Sequence, residues 1–251
     1  MMSTQQQKQF NVLLIGDDGL DVYQYGNIDR ISPEAPVPVF SYVYSERRLG
    51  MASNVYINLT QLGCGVNFLH GERSVKTRLV DIKSKQQIVR IDRDEECTPV
   101  VVDDIDLSTY DAIVISDYNK GTVSYELIEQ IRERFDGPVF IDTKKRHLHR
   151  FEGCFVKINT YEYDRAESKC SDLIVTCGQD GVAYKAECYP AIKVEVSDVT
   201  GAGDTFLSAL VFEYLKTSDM SESIKFAIKA STVTVQHYGV YAPTLEEINA
   251  L

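Results

Sequence analysis

The chain has 251 residues and a mass of 28.3 kDa, enough to bury roughly 70–75% of the surface its unfolded form exposes. Apolar residues make up 44% and charged residues 25%, the balance of an ordinary globular protein, which excludes disordered and collagen-like chains. Lys plus Arg is 26 against 37 for Asp plus Glu, a formal charge of −11, so a general nucleic-acid binder, which relies on neutralising phosphates, is excluded.

In chain order, residues 1–9 are polar and lack the apolar stretch of a secretory signal; they read as a frayed tail. Residues 10–16 are a short apolar run closing on Gly16-Asp17-Asp18-Gly19 and predict a buried strand. Residues 38–44 and 87–93 alternate apolar with polar side chains, the pattern of a sheet with one wet face. Between them, residues 52–62 place Val55, Leu59 and Leu62 on one helical face and stop at Gly63. Residues 112–116, 139–142, 155–158 and 173–176 are short apolar strands suited to a doubly covered sheet. A helix is predicted over 124–135, ending before Asp136-Gly137-Pro138, and two more over 203–216 and 221–237. No apolar run approaches the ~20 residues of a membrane span.

This alternation predicts an α/β fold around a mostly parallel sheet, in a single domain. The wet-faced segments fit a small separate sheet that covers the site as a lid. Cys64, Cys97, Cys154, Cys170, Cys177 and Cys188 form no C-x-x-C pair and read as reduced thiols of a cytoplasmic protein. His147 and His149 stand two apart without a third ligand nearby, so no structural zinc site is expected.

The sharpest feature is Asp198-Val199-Thr200-Gly201-Ala202-Gly203-Asp204-Thr205, after a strand-like stretch at 191–196 and at the start of the helix from Gly203. Small residues at 201–203 let backbone amides approach a ligand, and a helix start leaves N–H groups unpaired and favours negative charge. Asp204, an acid beside such an anion hole, is placed to take a proton from a hydroxyl that attacks a phosphoryl group. The plainer reading is an N-capping Asp on a glycine turn.

Wider matches accompany this string. They are Gly16-Asp17-x-x-Leu20-Asp21, Tyr25-Gly26, the run Arg-Ile-Ser-Pro-Glu-Ala-Pro-Val-Pro-Val at 30–39, and Arg48-Leu49-Gly50 with Ala52 and Asn54. Further ones are Gln86-Gln87-x-x-Arg90-x-Asp92, Ser116-Asp117-Tyr118-x-Lys120-Gly121, Ile141-Asp142-x-Lys144, Asn159-x-x-Glu162, Val175-Thr176 and Gly181. Together they resemble the ribokinase/PfkB carbohydrate kinase family over residues 10–245, and within it the heptose-7-phosphate kinase branch of the ADP-heptose pathway.

The resemblance implies a ribokinase-like, Rossmann-like sheet flanked by helices, with a small β lid at about 22–48 and 77–94. It implies transfer of the γ-phosphoryl of ATP to a sugar hydroxyl, on a heptose 7-phosphate or related sugar phosphate. Asp204 is then the base, and the amides of Gly201, Ala202 and Gly203 hold phosphate charge. Asp17, Asp21, Gly50 and Asn54 grip sugar hydroxyls, for which carboxylates and a carboxamide are suitable partners. Asn159 and Glu162 act on phosphate and Mg²⁺, Glu162 through water, unless they belong to a solvated loop. Thr176, Gly178, Gly181 and Thr200 contact the nucleotide. Lys120 and Lys144 reach an anionic group or else are surface lysines. The implied partners are small molecules, with neither nucleic acid nor membrane, and a homodimer is expected.

Several residues depart from the family pattern. Met51 stands where the family has the second of two glycines, and a side chain there crowds the sugar. Ile228 stands where the branch carries Asn. The stretches 72–75 and 163–171 are shorter than their family counterparts, so one face of the sheet is expected to be thin or covered by a partner subunit. The adenylyltransferase domain often fused to this kinase, with its His-x-Gly-His, does not follow, so the kinase half-reaction alone is expected. The basic run at 144–150 is either a phosphate-docking site or a solvated loop. Two other classes stay open: a family member that binds nucleotide or sugar without efficient catalysis, and a nicotinamide-dependent dehydrogenase. The second is disfavoured because no G-x-G-x-x-G follows the first strand.

Overall fold

The computed structural model describes residues 9–94 and 97–251; residues 1–8, which hold most of the expected frayed tail, lie outside them. The chain runs β1 (Asn11–Gly16), β2 (Asp18–Asn27), β3 (Ser41–Met51), α1 (Ala52–Gln61), β4 (Gly65–His70), β5 (Ser74–Asp81), β6 (Gln87–Arg93), β7 (Ala112–Asp117) and α2 (Tyr125–Arg134). It continues with β8 (Val139–Thr143), β9 (Phe155–Asn159), α3 (Thr160–Arg165), β10 (Leu173–Thr176), β11 (Val182–Tyr184), β12 (Glu187–Tyr189), α4 (Ala202–Thr217), α5 (Met220–Thr234) and α6 (Leu245–Asn249).

Eight strands form one sheet in the order β12-β11-β10-β9-β8-β7-β1-β4. The six from β10 to β4 are parallel, and β11 and β12 close the other edge as an antiparallel hairpin. β1 shows why its run of apolar residues folds this way. Val12 and Leu14 pack on the side of α1, α4 and α5, whereas Leu13 and Ile15 pack on the side of α2. Both faces are covered, so the strand carries no polar alternation. α2 begins at an N-cap, Ser124, whose side chain accepts from Leu127 N–H. No helix among the described residues is long and apolar enough to cross a membrane.

The second sheet has the order β3-β2-β5-β6, with β2 and β5 parallel and the other pairs antiparallel. Cross-strand partners share a face. The register therefore puts Arg48, Asp21, Lys76 and Asp92 in one row and Glu46, Tyr23, Arg78 and Arg90 in the next, on the same face. Leu49, Leu20 and Val75 lie on the other. Asp18, fully buried, accepts hydrogen bonds from Ser53 on α1 and Arg73 before β5, which ties the small sheet to the large one.

Three expectations shift. The small sheet starts at Asp18, and its second strand runs over Ser41–Met51 rather than 38–44. The strand-like stretch 191–196 is not a strand, and Ile192 and Val196 are exposed. Residues 191–196 make no ladder with β12, the edge strand that precedes them. The shortened stretches are as the sequence indicates. Three residues join β4 to β5, and after the six-residue helix α3 only an irregular stretch leads into β10.

Candidate active site

Gly16, Asp117, Thr143, Asn159 and Thr176 are the last residues of five parallel strands, at the carboxyl edge where open α/β sheets bind ligands. The start of α4 faces this edge. Gly201 is its N-cap in the left-handed region (φ 80°), and a β-carbon there would lie 2.7 Å from Asn54 Nδ2. Glycine is therefore required at 201 both for conformation and for space. The helix begins at Ala202, whose N–H donates to the Val199 carbonyl at 3.3 Å and so is not the free amide expected of it; the amides of 203 and 204 lie in the first turn, where the helix supplies no carbonyl.

Asp204 sits in that turn with 6% of its surface exposed. Its Oδ2 accepts from Asn54 Nδ2 at 2.8 Å and its Oδ1 from the Tyr118 hydroxyl at 2.9 Å. Burial pushes its carboxyl up to about 6; Asp142 adds to this, while Asn54, Lys157 and Tyr118 pull the other way. A carboxylate poised near neutrality suits proton transfer. The N-cap is Gly201, so the capping role weighed for Asp204 is not the one it plays.

Lys157, on β9, pairs with Asp142, on β8, at 2.7 Å. Burial works against its charge, but Asp142 more than offsets this and its ammonium stays above the ordinary lysine range. A β-carbon at Gly203 would lie 2.9 Å from Nζ, so the second glycine of the turn leaves room for this ammonium. Lys144 Nζ bonds Glu162 Oε1 at 2.8 Å and lies 4.8 Å from the centre of the Tyr118 ring.

The expected sugar-facing residues divide. Asp21 lies on the β2 face that also carries Arg78, its partner, and a β-carbon at Gly50 would come within 2.9 Å of its Oδ2. Gly50 thus makes space for Asp21. Asn54 faces Asp204. Asp17 does not fit its expected role. It is 1% exposed, and it accepts the backbone N–H groups of Tyr118, Lys120 and Thr122 at 2.7, 3.1 and 3.3 Å. Its oxygens hold the 118–122 loop and are not free for a sugar. The Lys120 ammonium is likewise turned to Asp94, at 2.6 Å.

On the phosphate side, Asn159 and Glu162 are neither a solvated loop nor free ligands. Each side chain accepts the other's backbone N–H at 2.9 Å, forming the capping box of α3. Among the described residues no group of three or more His, Cys, Asp or Glu side chains is arranged to hold a metal. Glu162, whose Oε2 accepts from Asn159 N–H and whose Oε1 accepts from Lys144, would meet only the lighter demand of a Mg²⁺ held mainly by phosphates and water. Thr200 donates through both its N–H and its hydroxyl to Asp198, whose other oxygen accepts from Gly239 N–H.

Thr176 donates to the Ile158 carbonyl at 3.3 Å. Gly178 has open space beside it. Gly181 packs so that a β-carbon would lie 2.0 Å from the Tyr189 carbonyl, so its glycine is explained by the hairpin. The basic run resolves into ion pairs. Lys145 bonds Asp117, Arg146 and His147 lie against Glu167, and Arg150 bonds Glu126 and Glu129. Only Lys144 of that run enters the site.

Tyr118, Asp142 and Lys157 carry no role that the sequence reveals. Tyr118 and Asp142 lie inside the motifs quoted above. Lys157 offers one signal, a lone lysine in an otherwise apolar buried strand.

Comparisons with known proteins bear on this geometry. Residues 163–248 match the family model for pfkB family carbohydrate kinase. The bifunctional protein HldE of a Nitratiruptor species is 33% identical over 295 residues, covering 94% of this chain and 64% of its own length. That of Campylobacter curvus is 30% identical, covering 97% of this chain and 65% of its own. The chain thus spans just under two thirds of these relatives. Since 94% of 251 residues is about 236, the 295-residue alignment holds about 59 positions without a counterpart here. Two solved structures share the fold: ribokinase of Thermotoga maritima, and Arabidopsis thaliana ribokinase complexed with ribose and ATP. The first has a TM-score of 0.71 at 18% identity over 96% of this chain and 98% of that one, the second 0.74 at 15% over 97% and 98%.

Proposed function

Because the chain belongs to the pfkB carbohydrate kinase family, we propose that it transfers the γ-phosphoryl group of ATP to a sugar hydroxyl, with a heptose 7-phosphate or related sugar phosphate as acceptor. The observation that carries this reading is Asp204, a buried carboxylate held by two donors in the first turn of α4, beside backbone amides opened by two glycines.

In this mechanism Asp204 takes the proton of the acceptor hydroxyl as its oxygen attacks the γ-phosphorus. The bond to the bridging oxygen breaks and ADP leaves with the electron pair. The amides at 203 and 204 and the α4 dipole stabilise charge on the transferring group. Mg²⁺ on the phosphates would neutralise their charge, and Glu162 is the carboxylate that would hold one of its waters. Asp21 and Asn54 orient the acceptor, and the small sheet acts as a lid of a single kinase domain. In the structure Arg48 of that sheet already reaches Gly239, across the crevice; a β-carbon there would lie 2.0 Å from Nη1.

On the face that carries Asp21, Arg48, Arg78 and Arg90 pair with Glu46, Asp21 and Asp92, which leaves Lys76 as the cation there that supports a phosphorylated acceptor. The heptose reading is also supported by the HldE relatives. The opposite face, where Val89 and Ile91 are exposed on β6, supports a homodimer. The thiols of Cys64, Cys154, Cys170, Cys177 and Cys188, none of them in a disulfide, agree with a reducing, cytoplasmic setting.

The reading is tested by incubating the protein with Mg-ATP and heptose 7-phosphate and following ³¹P NMR. A second phosphate ester appearing together with ADP supports it, and ADP without a new ester contradicts it. The missing positions favour a second reading, a member that binds without turnover. That reading predicts ATP binding by calorimetry and no acceptor-dependent ADP.

A further inference from the structure

Asp204 has its two oxygens held from two different parts of the fold, Oδ2 by Asn54 on α1 and Oδ1 by Tyr118 after β7. Two donors at separate oxygens fix the plane of the carboxylate, whereas one would leave it free to rotate. Tyr118 is itself held at three points. Its backbone N–H donates to Asp17, its hydroxyl to Asp204, and the Lys144 ammonium lies over its ring while bonding Glu162. A contiguous path therefore joins Glu162, on the phosphate side, through Lys144 and Tyr118 to Asp204.

We propose that Tyr118 is the positioning residue for Asp204, orienting its carboxylate and favouring its ionised form through the hydroxyl, with Lys144 linking that hydroxyl's placement to Glu162. The inference rests on the reading of Asp204 as the base. The charged and titratable groups around Asp204 are Asp142 on β8, Lys157 on β9 and Tyr118 itself, and Tyr118 further faces Asp142 and Glu162. Asp142 disfavours the charged carboxylate and Lys157 favours it, so the two oppose each other. Tyr118 and Asn54 are left as the neutral donors that favour ionisation.

The test compares the wild type with Tyr118→Phe and with 3-fluorotyrosine at 118, a stronger donor of the same shape. ¹³C NMR of labelled aspartate follows Asp204, with the signal assigned by its loss in Asp204→Asn. The Asp204 midpoint is expected to rise in Tyr118→Phe and to fall with fluorotyrosine. Turnover should drop roughly tenfold in Tyr118→Phe, with its acid limb moving in the same direction as the midpoint and KM for ATP unchanged. Midpoints unmoved in both variants would overturn the positioning role. Midpoints that move in a protein showing no acceptor-dependent turnover would uphold the role and defeat the kinase reading instead.

Discussion

Lys157 and Asp142 form a 2.7 Å ion pair directly beneath Gly203, and the absent side chain at 203 is what lets the ammonium come so near the helix start. Their side chains are 5% and 14% exposed, so neither charge is well served by water. Lys157→Met should therefore cost about 3–5 kcal/mol of stability, because it leaves a carboxylate unpaired in the interior. Adding Asp142→Asn should restore more than half of that. Urea unfolding of the two single variants and the double variant measures the coupling. Additive losses would show that the pair is not coupled.

Asp204 makes stability depend on pH in a defined direction. Burial raises its carboxyl from 3.8 to about 6, so the folded state binds this proton more tightly than the unfolded one. Its contribution is fully present below about pH 4, the unfolded carboxyl's range, and is lost as pH rises through about 6. A shift of this size is worth roughly 3 kcal/mol. Asp204→Asn should gain on the wild type by that order between pH 4 and 7 in urea titrations. Turnover should run the opposite way, falling below about pH 6 as the base becomes protonated. A stability difference that stays flat across this window would contradict the burial of a titrating Asp204.

Met51 carries φ 53° and ψ −137°, a region glycine tolerates and methionine does not, yet it is only 8% exposed. Its side chain lies over Gly19, where a β-carbon would meet Cγ and Sδ at 2.8 Å. Met51→Ala keeps the strain and loses the packing, whereas Met51→Gly loses the packing and relieves the strain. The glycine variant should be the more stable of the two by about 1–2 kcal/mol, the reverse of their ordinary ranking beside a helix. Met51→Gly should also accept bulkier sugars, since the crevice beside Asp21 and Gly50 widens. Thermal unfolding of the two variants decides the first point, and an acceptor panel the second.

Asp17→Asn separates a scaffold role from a sugar contact. One of the two carboxylate oxygens serving the Tyr118, Lys120 and Thr122 amides becomes a donor facing donors. The loss should be about 2–4 kcal/mol, or a fall in Tm of several degrees. A sugar contact alone would instead raise the acceptor KM and leave Tm in place.

Much of this architecture is legible in the sequence, for a physical reason. Buried parallel strands such as Ala112–Asp117 open with continuous apolar runs, here the first four residues, and Ser124 and Gly63 mark where helices start and stop. The 198–205 string exposes its chemistry because left-handed backbone at Gly201 and the close approach of Lys157 to Gly203 both demand glycine. What stays hidden depends on partners distant in sequence. In the Gly16-Asp17-Asp18-Gly19 string that closes the first strand, Asp17 serves a loop a hundred residues away and Asp18 opens a strand. The alternating residues at 191–196 look like a strand, but alternation alone does not supply a ladder, and the segment pairs with no strand in the fold. The basic run at 144–150 looks like an anion site because its acidic partners, Glu126, Glu129 and Glu167, come from elsewhere in the chain.

The most direct test of the central claim is ADP release from Mg-ATP, wild type beside Asp204→Asn, with heptose 7-phosphate, fructose 6-phosphate, ribose and adenosine as acceptors. Acceptor-dependent release by the wild type, strongest with a sugar phosphate, should fall at least about a thousandfold in the variant while ATP still binds. Equal rates in the two proteins would contradict Asp204 as the base. Absence of acceptor-dependent release with every sugar, despite ATP binding, would contradict the kinase account itself.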